Sequence, residues 1–116
     1  MAYSKYKAVA VEMDGIRFSS KREAKRYQEL KLLERAGHIS NLQLQPSWTF
    51  PVAGNDLLIR SAGYPNGRKA KYVADFAFTD REGVYHVQDS KGFRTDVFKW
   101  KKALMEACHG IKVEEV

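Results

Sequence analysis

The feature that most constrains the fold is a pair of apolar stretches, residues 71–79 and 84–91, separated by only four residues. The four intervening residues are polar and end in Gly83, which is typical of a hairpin turn. The first stretch is apolar on both strand parities, as expected of a strand that is buried on both faces. The sequence therefore predicts an antiparallel hairpin at the centre of a sheet.

Acidic residues interrupt both of these apolar strands. Asp75 lies in the first strand, and Asp89 and Lys91 lie two residues apart in the second, so their side chains share one face. A tight turn at 80–83 brings Asp75 opposite either Gln88 or Asp89. A salt bridge to Lys91 would compensate only one of the two carboxylates, whereas a divalent cation between them removes their repulsion and leaves the lysine available.

The remaining pattern indicates helices on either side of this hairpin. Residues 8–18 predict an earlier hairpin with its turn at Asp14-Gly15, and residues 53–69 predict a long irregular segment. Caps and spacing predict two helices. The first runs from Ser20 to about residue 36 and is closed by Gly37, and the second runs from Thr95 to about residue 108 with Val97, Trp100, Leu104 and Cys108 on one face. Two further strands are predicted over 42–52 and 111–113. Such alternation is typical of an α/β domain with a mixed sheet.

The charge distribution favours a polyanionic partner. The chain has 20 Lys and Arg against 14 Asp and Glu, a net charge of +6. Solubility alone could explain this excess, but the cations are clustered, and clusters favour nucleic acid because each phosphate contact releases counterions. The predicted nucleic-acid-binding residues are Lys21, Arg22, Lys25, Arg26, Arg68, Lys69, Lys71, Arg94, Lys99, Lys101 and Lys102.

Several other classes of protein are disfavoured. Cys108 is the only cysteine and the chain has three histidines, so neither a disulfide framework nor a zinc finger is expected. No apolar run reaches the length of a membrane span, and the first residues lack the apolar core of a secretory signal. We therefore expect a cytoplasmic protein without a membrane partner.

One spacing resembles a known superfamily. Asp75, thirteen further residues and then Asp89-Ser90-Lys91 resemble the PD-(D/E)XK nucleases, although Ala74 stands where that motif has proline. The wider sequence is similar to small phage and prophage endonucleases related to the phage endonuclease-I type of Holliday-junction resolvase. The residues that carry this likeness are Phe18-Ser19-Ser20-Lys21-Arg22-Glu23-Ala24, Tyr72-Val73-Ala74-Asp75-Phe76 and Gln88-Asp89-Ser90-Lys91-Gly92-Phe93-Arg94-Thr95.

The resemblance implies a fold, a cofactor and roles for four residues. The fold is a single domain over residues 1–116, with a hairpin extension over 1–18 and a restriction-endonuclease-like αβββαβ core over 19–116. Asp75, Asp89 and Glu23 would hold Mg²⁺ or Mn²⁺. Lys91 would position the attacking water. Such a protein would hydrolyse DNA phosphodiester bonds, in the cytoplasm of a bacterial host and encoded by a phage or prophage.

Two questions stay open from the sequence. Glu23 either reciprocates the Ser20 cap in a capping box or reaches the metal site, because it shares a helical face with Tyr27 and Leu30. The substrate is expected to be branched DNA cut by a homodimer, because a closed pair of subunits matches the two-fold symmetry of a junction. The alternatives are a non-catalytic nucleic-acid-binding module and a restriction- or repair-type nuclease acting on linear duplex.

Overall fold

The structure is a computed structural model that describes residues 10–90 and 94–116. Within these residues the chain forms two helices and twelve strands, several of them very short. In chain order they are β1 Val11–Met13, β2 Ile16–Phe18, α1 Lys21–Arg35, β3 Ile39–Leu44, β4 Ser47–Thr49, β5 Pro51–Val52, β6 Asn55–Asp56, β7 Leu58–Ser61, β8 Tyr64–Lys69, β9 Lys71–Val73, β10 Phe76–Asp80, β11 Tyr85–Asp89, α2 Asp96–His109 and β12 Glu114–Glu115.

A four-stranded mixed sheet with the order β12-β11-β10-β3 forms the centre of the molecule. β10 pairs antiparallel with both β3 and β11, and β12 lies parallel to β11. The predicted central hairpin and the α/β class with a mixed sheet and two helices are therefore confirmed. Because side chains alternate along a strand, Phe76 and Phe78 pack towards α1, whereas Ala77 packs towards α2.

Both helices begin and end where the sequence predicts. Ser20 caps α1, and Gly37 follows it with a positive φ of 78°. Thr95 caps α2, and Gly110 ends it in the left-handed conformation. The face of α2 that was predicted to carry Val97, Trp100, Leu104 and Cys108 is only half covered. Leu104 and Cys108 pack against the core, whereas Val97 and Trp100 are exposed, and the fully buried residues are Phe98 and Met105.

The buried surface of α2 is centred on a neighbouring face for a simple physical reason. Residues 97, 100, 104 and 108 and residues 98, 101 and 105 both follow helical spacing, so periodicity alone could not choose between them. Packing against the sheet decides the matter. The ring of Phe98 lies 6.5 Å from that of Tyr72, and Met105 is fully buried in the same cluster.

Two of the predicted strands are broken in the middle. The stretch 42–52 divides at Gln45, which has a φ of 52°, and at Pro46, which has no N–H to donate. The stretch 71–79 divides at Ala74 and Asp75. At the first point the chain passes from the central sheet into β4, and at the second it passes from β9 into the central sheet. β4 and β9 form a separate antiparallel pair. Asp75 thus lies at the junction of two sheets.

Two further strand predictions were wrong. Residues 53–69 are not irregular, because β7 and β8 pair as an antiparallel hairpin and β5 and β6 form a smaller one. The last strand is Glu114–Glu115 rather than 111–113. Val113 is instead buried in the core just before β12, and both glutamates of β12 are half-buried.

The N-terminal hairpin is confirmed as β1 and β2, with positive φ angles at Asp14 and Gly15. Its apolar side chains pack against α1 of the same chain. The ring of Phe18 is buried 4.9 Å from that of Tyr27, and the Tyr27 hydroxyl donates to Asp14. The expected homodimer remains a prediction.

Candidate active site

The ends of β10 and β11 bring two carboxyl groups together. Phe76, the first residue of β10, pairs with Gln88, so the same register aligns Asp75 with Asp89. The Asp75 N–H donates to the Gln88 carbonyl at 3.2 Å and extends the pairing. Of the two partners that the sequence allowed for Asp75, Gln88 accepts its backbone hydrogen bond, and Asp89 lies close enough for its charge to affect the Asp75 carboxyl group.

Asp89 is held in place within the core. Its exposed fraction is 0%, and its Oδ2 accepts a hydrogen bond of 2.5 Å from the Tyr72 hydroxyl. Burial, followed by the hydrogen bond to Asp89, raises the pKa of Tyr72 well above its usual value. The phenol therefore remains protonated and serves as a donor that fixes the orientation of the Asp89 carboxyl. Sequence reasoning did not assign this role to Tyr72.

Asp75 lies half-buried beside Asp89. Its Oδ2 accepts a 2.7 Å hydrogen bond from the Ser90 N–H, and its carboxyl group also forms a hydrogen bond with that of Asp89. Burial, followed by the hydrogen bond and negative charge of Asp89, raises the pKa of Asp75 to about 7. Two neighbouring carboxyl groups that share a hydrogen bond retain a proton, and a bound cation would release it.

Glu23 lies in the first turn of α1, and its negative charge contributes to the raised pKa of Asp75. The residue is 3% exposed, and its Oε2 accepts a 2.6 Å hydrogen bond from Ser19 Oγ. Its backbone N–H donates to Ser20 Oγ, which is the cap itself. The hydrogen bond to the cap thus involves the backbone of Glu23, whereas its carboxylate is held by Ser19 and lies near the acidic pair.

Replacing Glu23 by glutamine should separate these two roles. A glutamine can occupy the same position in the helix cap, so the free energy of unfolding should fall by no more than about 1 kcal/mol. Nuclease activity should fall by more than about tenfold, because the third carboxylate is lost. The matched control is Ser20→Ala, which removes the cap and should lower stability with little effect on activity. Parallel losses in the two variants would assign Glu23 to the cap.

The donor set suits a hard divalent cation. Asp75, Asp89 and Glu23 offer only carboxylate oxygens, the ligands that Mg²⁺ and Mn²⁺ prefer. Among the described residues, no three His, Cys, Asp or Glu side chains are already arranged as a metal site. The two aspartates nevertheless lie close enough that the negative charge of Asp89 contributes to the raised pKa of Asp75.

Lys91, the fourth predicted catalytic residue, lies outside the described residues. The predicted nucleic-acid-binding residues divide into three groups, on α1, on the β7–β8 hairpin with Lys71, and around the start of α2. Several of them contact acidic or polar groups of the chain itself. These contacts are Arg22 with the Val116 carbonyl, Arg26 with Gln88 and Glu29, Lys69 with Asp56, Arg94 and Lys102 with Glu115, and Lys99 with Asp96.

His86 and Asp89 lie on opposite faces of β11, because they are three residues apart in the strand. The His86 Nε2 is 2.8 Å from Asp80 Oδ2 and its Nδ1 is 2.6 Å from Glu114 Oε2. The hydrogen bond to Asp80, followed by that to Glu114, raises the pKa of the imidazole. Since Glu114 also accepts from Gln88, these contacts tie β12 to β11 beside the site.

In the described parts of the chain, no helix is long and apolar enough to cross a membrane.

Comparison with known proteins places the chain in a family. No curated protein and no solved structure has a significant match to the sequence. A family described as "Protein of unknown function (DUF1064)" matches residues 3–114, which is nearly the whole chain. The chain therefore belongs to the DUF1064 family.

Proposed function

We propose that this protein is a metal-dependent DNA endonuclease that hydrolyses phosphodiester bonds. The observation that carries the proposal is the pair of carboxyl groups at the adjoining ends of two central strands, the fully buried Asp89 and the half-buried Asp75. Burying two like charges side by side is costly unless a cation or a proton compensates them. The pair therefore favours a metal site, in which a divalent cation would compensate both charges.

Asp75, Asp89 and Glu23 would hold Mg²⁺ or Mn²⁺. The bound ion would lower the pKa of a water molecule and stabilise the charge that develops on the phosphate. The protein's own groups prepare the ligands, because the Tyr72 hydroxyl orients Asp89 and the Ser90 N–H orients Asp75. Lys91 would add positive charge close to the reacting phosphate.

The element order supports the finer assignment of the fold. The two helices and the four strands of the central sheet occur along the chain in the order α1-β3-β10-β11-α2-β12, with β4 to β9 inserted between β3 and β10. Apart from that insertion, this order agrees with the αβββαβ core of PD-(D/E)XK nucleases. We propose that the chain belongs to this superfamily and acts as a homodimer on branched DNA. Its site of action would be the cytoplasm of a bacterial host that carries the phage or prophage.

The test is incubation with a four-way junction, a flap and a linear duplex of equal length, with and without Mg²⁺. We expect cleavage only with the metal, and faster cleavage of the branched substrates. Binding that is indifferent to Mg²⁺, with no cleavage of any substrate, would identify a non-catalytic binding module. Equal rates on all three substrates from a monomeric protein would retain the chemistry but reject the resolvase assignment.

A further inference from the structure

The hairpin of β7 and β8, called here the arm, extends away from the core. Every residue of β7 is exposed, and so is every residue of β8 except the half-buried Gly67. The two strands pair only with each other. The radius of gyration is 16.2 Å, whereas a compact domain of this length has about 13 Å. Such an exposed two-stranded ribbon contributes little to the core and is free to contact a partner.

The arm and the strand that follows it are uniformly basic. Residues 57–73 contain four cationic and no acidic side chains, Arg60, Arg68, Lys69 and Lys71. Lys69 contacts Asp56 at the base of the arm, at 3.2 Å. The guanidinium of Arg68 lies 5.2 Å from the ring centre of Tyr64, which limits its conformational freedom at the exposed surface. The charge favours an anionic partner of considerable length.

Two adjoining depressions lie between the arm and α2. A depression of about 290 Å³ lies between the arm and α2, with Arg68, Lys71 and Lys101 on its walls. A second depression of about 230 Å³ shares Val73 and Lys101 with the first and extends to Tyr72. The Tyr72 hydroxyl is the group that orients Asp89. A nucleic-acid strand that follows these two depressions would run from the arm towards Tyr72, beside the proposed metal site.

We propose that the arm lies in the major groove of duplex DNA and holds a double-stranded flank on one side of the phosphate that is cut. The inference rests on the proposed nuclease function and specifies its substrate. The major groove of B-form DNA admits a two-stranded β-ribbon. The six residues of β8 extend for roughly 20 Å at the rise of an antiparallel strand, which corresponds to about six base pairs of duplex. The substrate must therefore have a duplex flank of about that length.

The test compares two double variants with the same net charge. Arg60→Gln with Arg68→Gln alters the arm, and Arg35→Gln with Arg81→Gln removes two exposed arginines at the end of α1 and in the β10–β11 turn. Each pair lowers the net charge from +6 to +4. Binding to fluorescent duplexes is measured in EDTA over a range of salt concentrations. The arm variant should bind duplex several-fold more weakly, with the slope of log K against log salt reduced by about two.

A third variant tests the shape of the arm without changing its charge. Gly67 has a φ of 88°, and an added Cβ would lie 3.1 Å from the Leu58 Cβ on the paired strand. Gly67→Ala should therefore distort the ribbon and weaken duplex binding, with no change in the midpoint of core unfolding. In both the arm variant and Gly67→Ala, the affinity for single-stranded DNA of the same length should fall less than the affinity for duplex.

Duplex length gives a second independent measurement. Wild-type affinity should rise as one flank is extended to about six base pairs and then level off, and the arm variant should lose this dependence. Equal duplex affinity in the two double variants would overturn the proposal. A wild-type dimer that becomes monomeric only in the arm variant would assign the arm to a second copy instead. Because all binding is measured without metal, neither result depends on whether the protein is a nuclease, and failure of the nuclease proposal can be distinguished from failure of this one.

Discussion

Replacing Asp89 by asparagine should reduce metal-dependent cleavage by roughly a thousandfold, a size comparable to the loss of a major electrostatic group in an active site. Asp89 is fully buried and is oriented by Tyr72, so no other side chain can take its place. The variant should fold, because asparagine has nearly the same shape and still accepts the Tyr72 hydrogen bond. DNA binding without metal should be unchanged or tighter, since one negative charge has been removed near the phosphate.

The pH dependence of stability gives this variant a second readout. The pKa of Asp75 is about 7 in the folded protein, against 3.8 for the ordinary carboxyl group. A raised folded pKa contributes stability that is present below the unfolded value and is lost as the pH rises through the folded value. The metal-free wild type should therefore lose stability between about pH 4 and pH 7. In Asp89→Asn the loss should be smaller but should persist, because burial is the largest cause of the shift.

The matched control for Asp89→Asn is Glu82→Gln, which removes an exposed carboxylate from the turn of the same β10–β11 hairpin. Its cleavage rate and its pH profile of unfolding should equal those of the wild type. Full magnesium-dependent activity in Asp89→Asn would reject the proposed site. Normal activity combined with the altered pH profile would show that the acidic pair exists but serves stability alone.

The sequence predicted the elements whose signals are local. The Asp14-Gly15 turn, the Ser20 and Thr95 caps and the left-handed Gly37 and Gly110 depend on nearby residues, and all are found. The errors concern contacts between distant segments. No local signal shows that β4 pairs with β9 in a separate sheet, or that the glutamates of β12 pair beside β11. The ribbon of the arm was missed because its glycines and prolines are also typical of irregular loops.

The candidate site was predictable where it depends on strand parity and on the length of one turn. Those two features placed Asp75 opposite Asp89 within one residue of register. The supporting donors were not predictable, because Tyr72 reaches Asp89 from a neighbouring sheet seventeen residues earlier in the chain. The Ser90 N–H is a backbone group and carries no sequence signal at all. Predicting them would require knowing where the chain changes sheets.

Replacing Lys91 by alanine should slow cleavage by about a hundredfold or more, because one positive charge beside the reacting phosphate is lost. Metal binding should change little, since an ammonium group is not a ligand of Mg²⁺. The rate is measured at saturating Mg²⁺, and metal affinity is measured separately by calorimetry on the DNA-free protein. Lys112→Ala, at an exposed position before β12, is the control for the loss of one lysine charge and should retain the wild-type rate. If Lys91→Ala instead abolished metal binding, the lysine would be a structural partner that holds the two carboxylates together, and the attacking water would have to be positioned by another group.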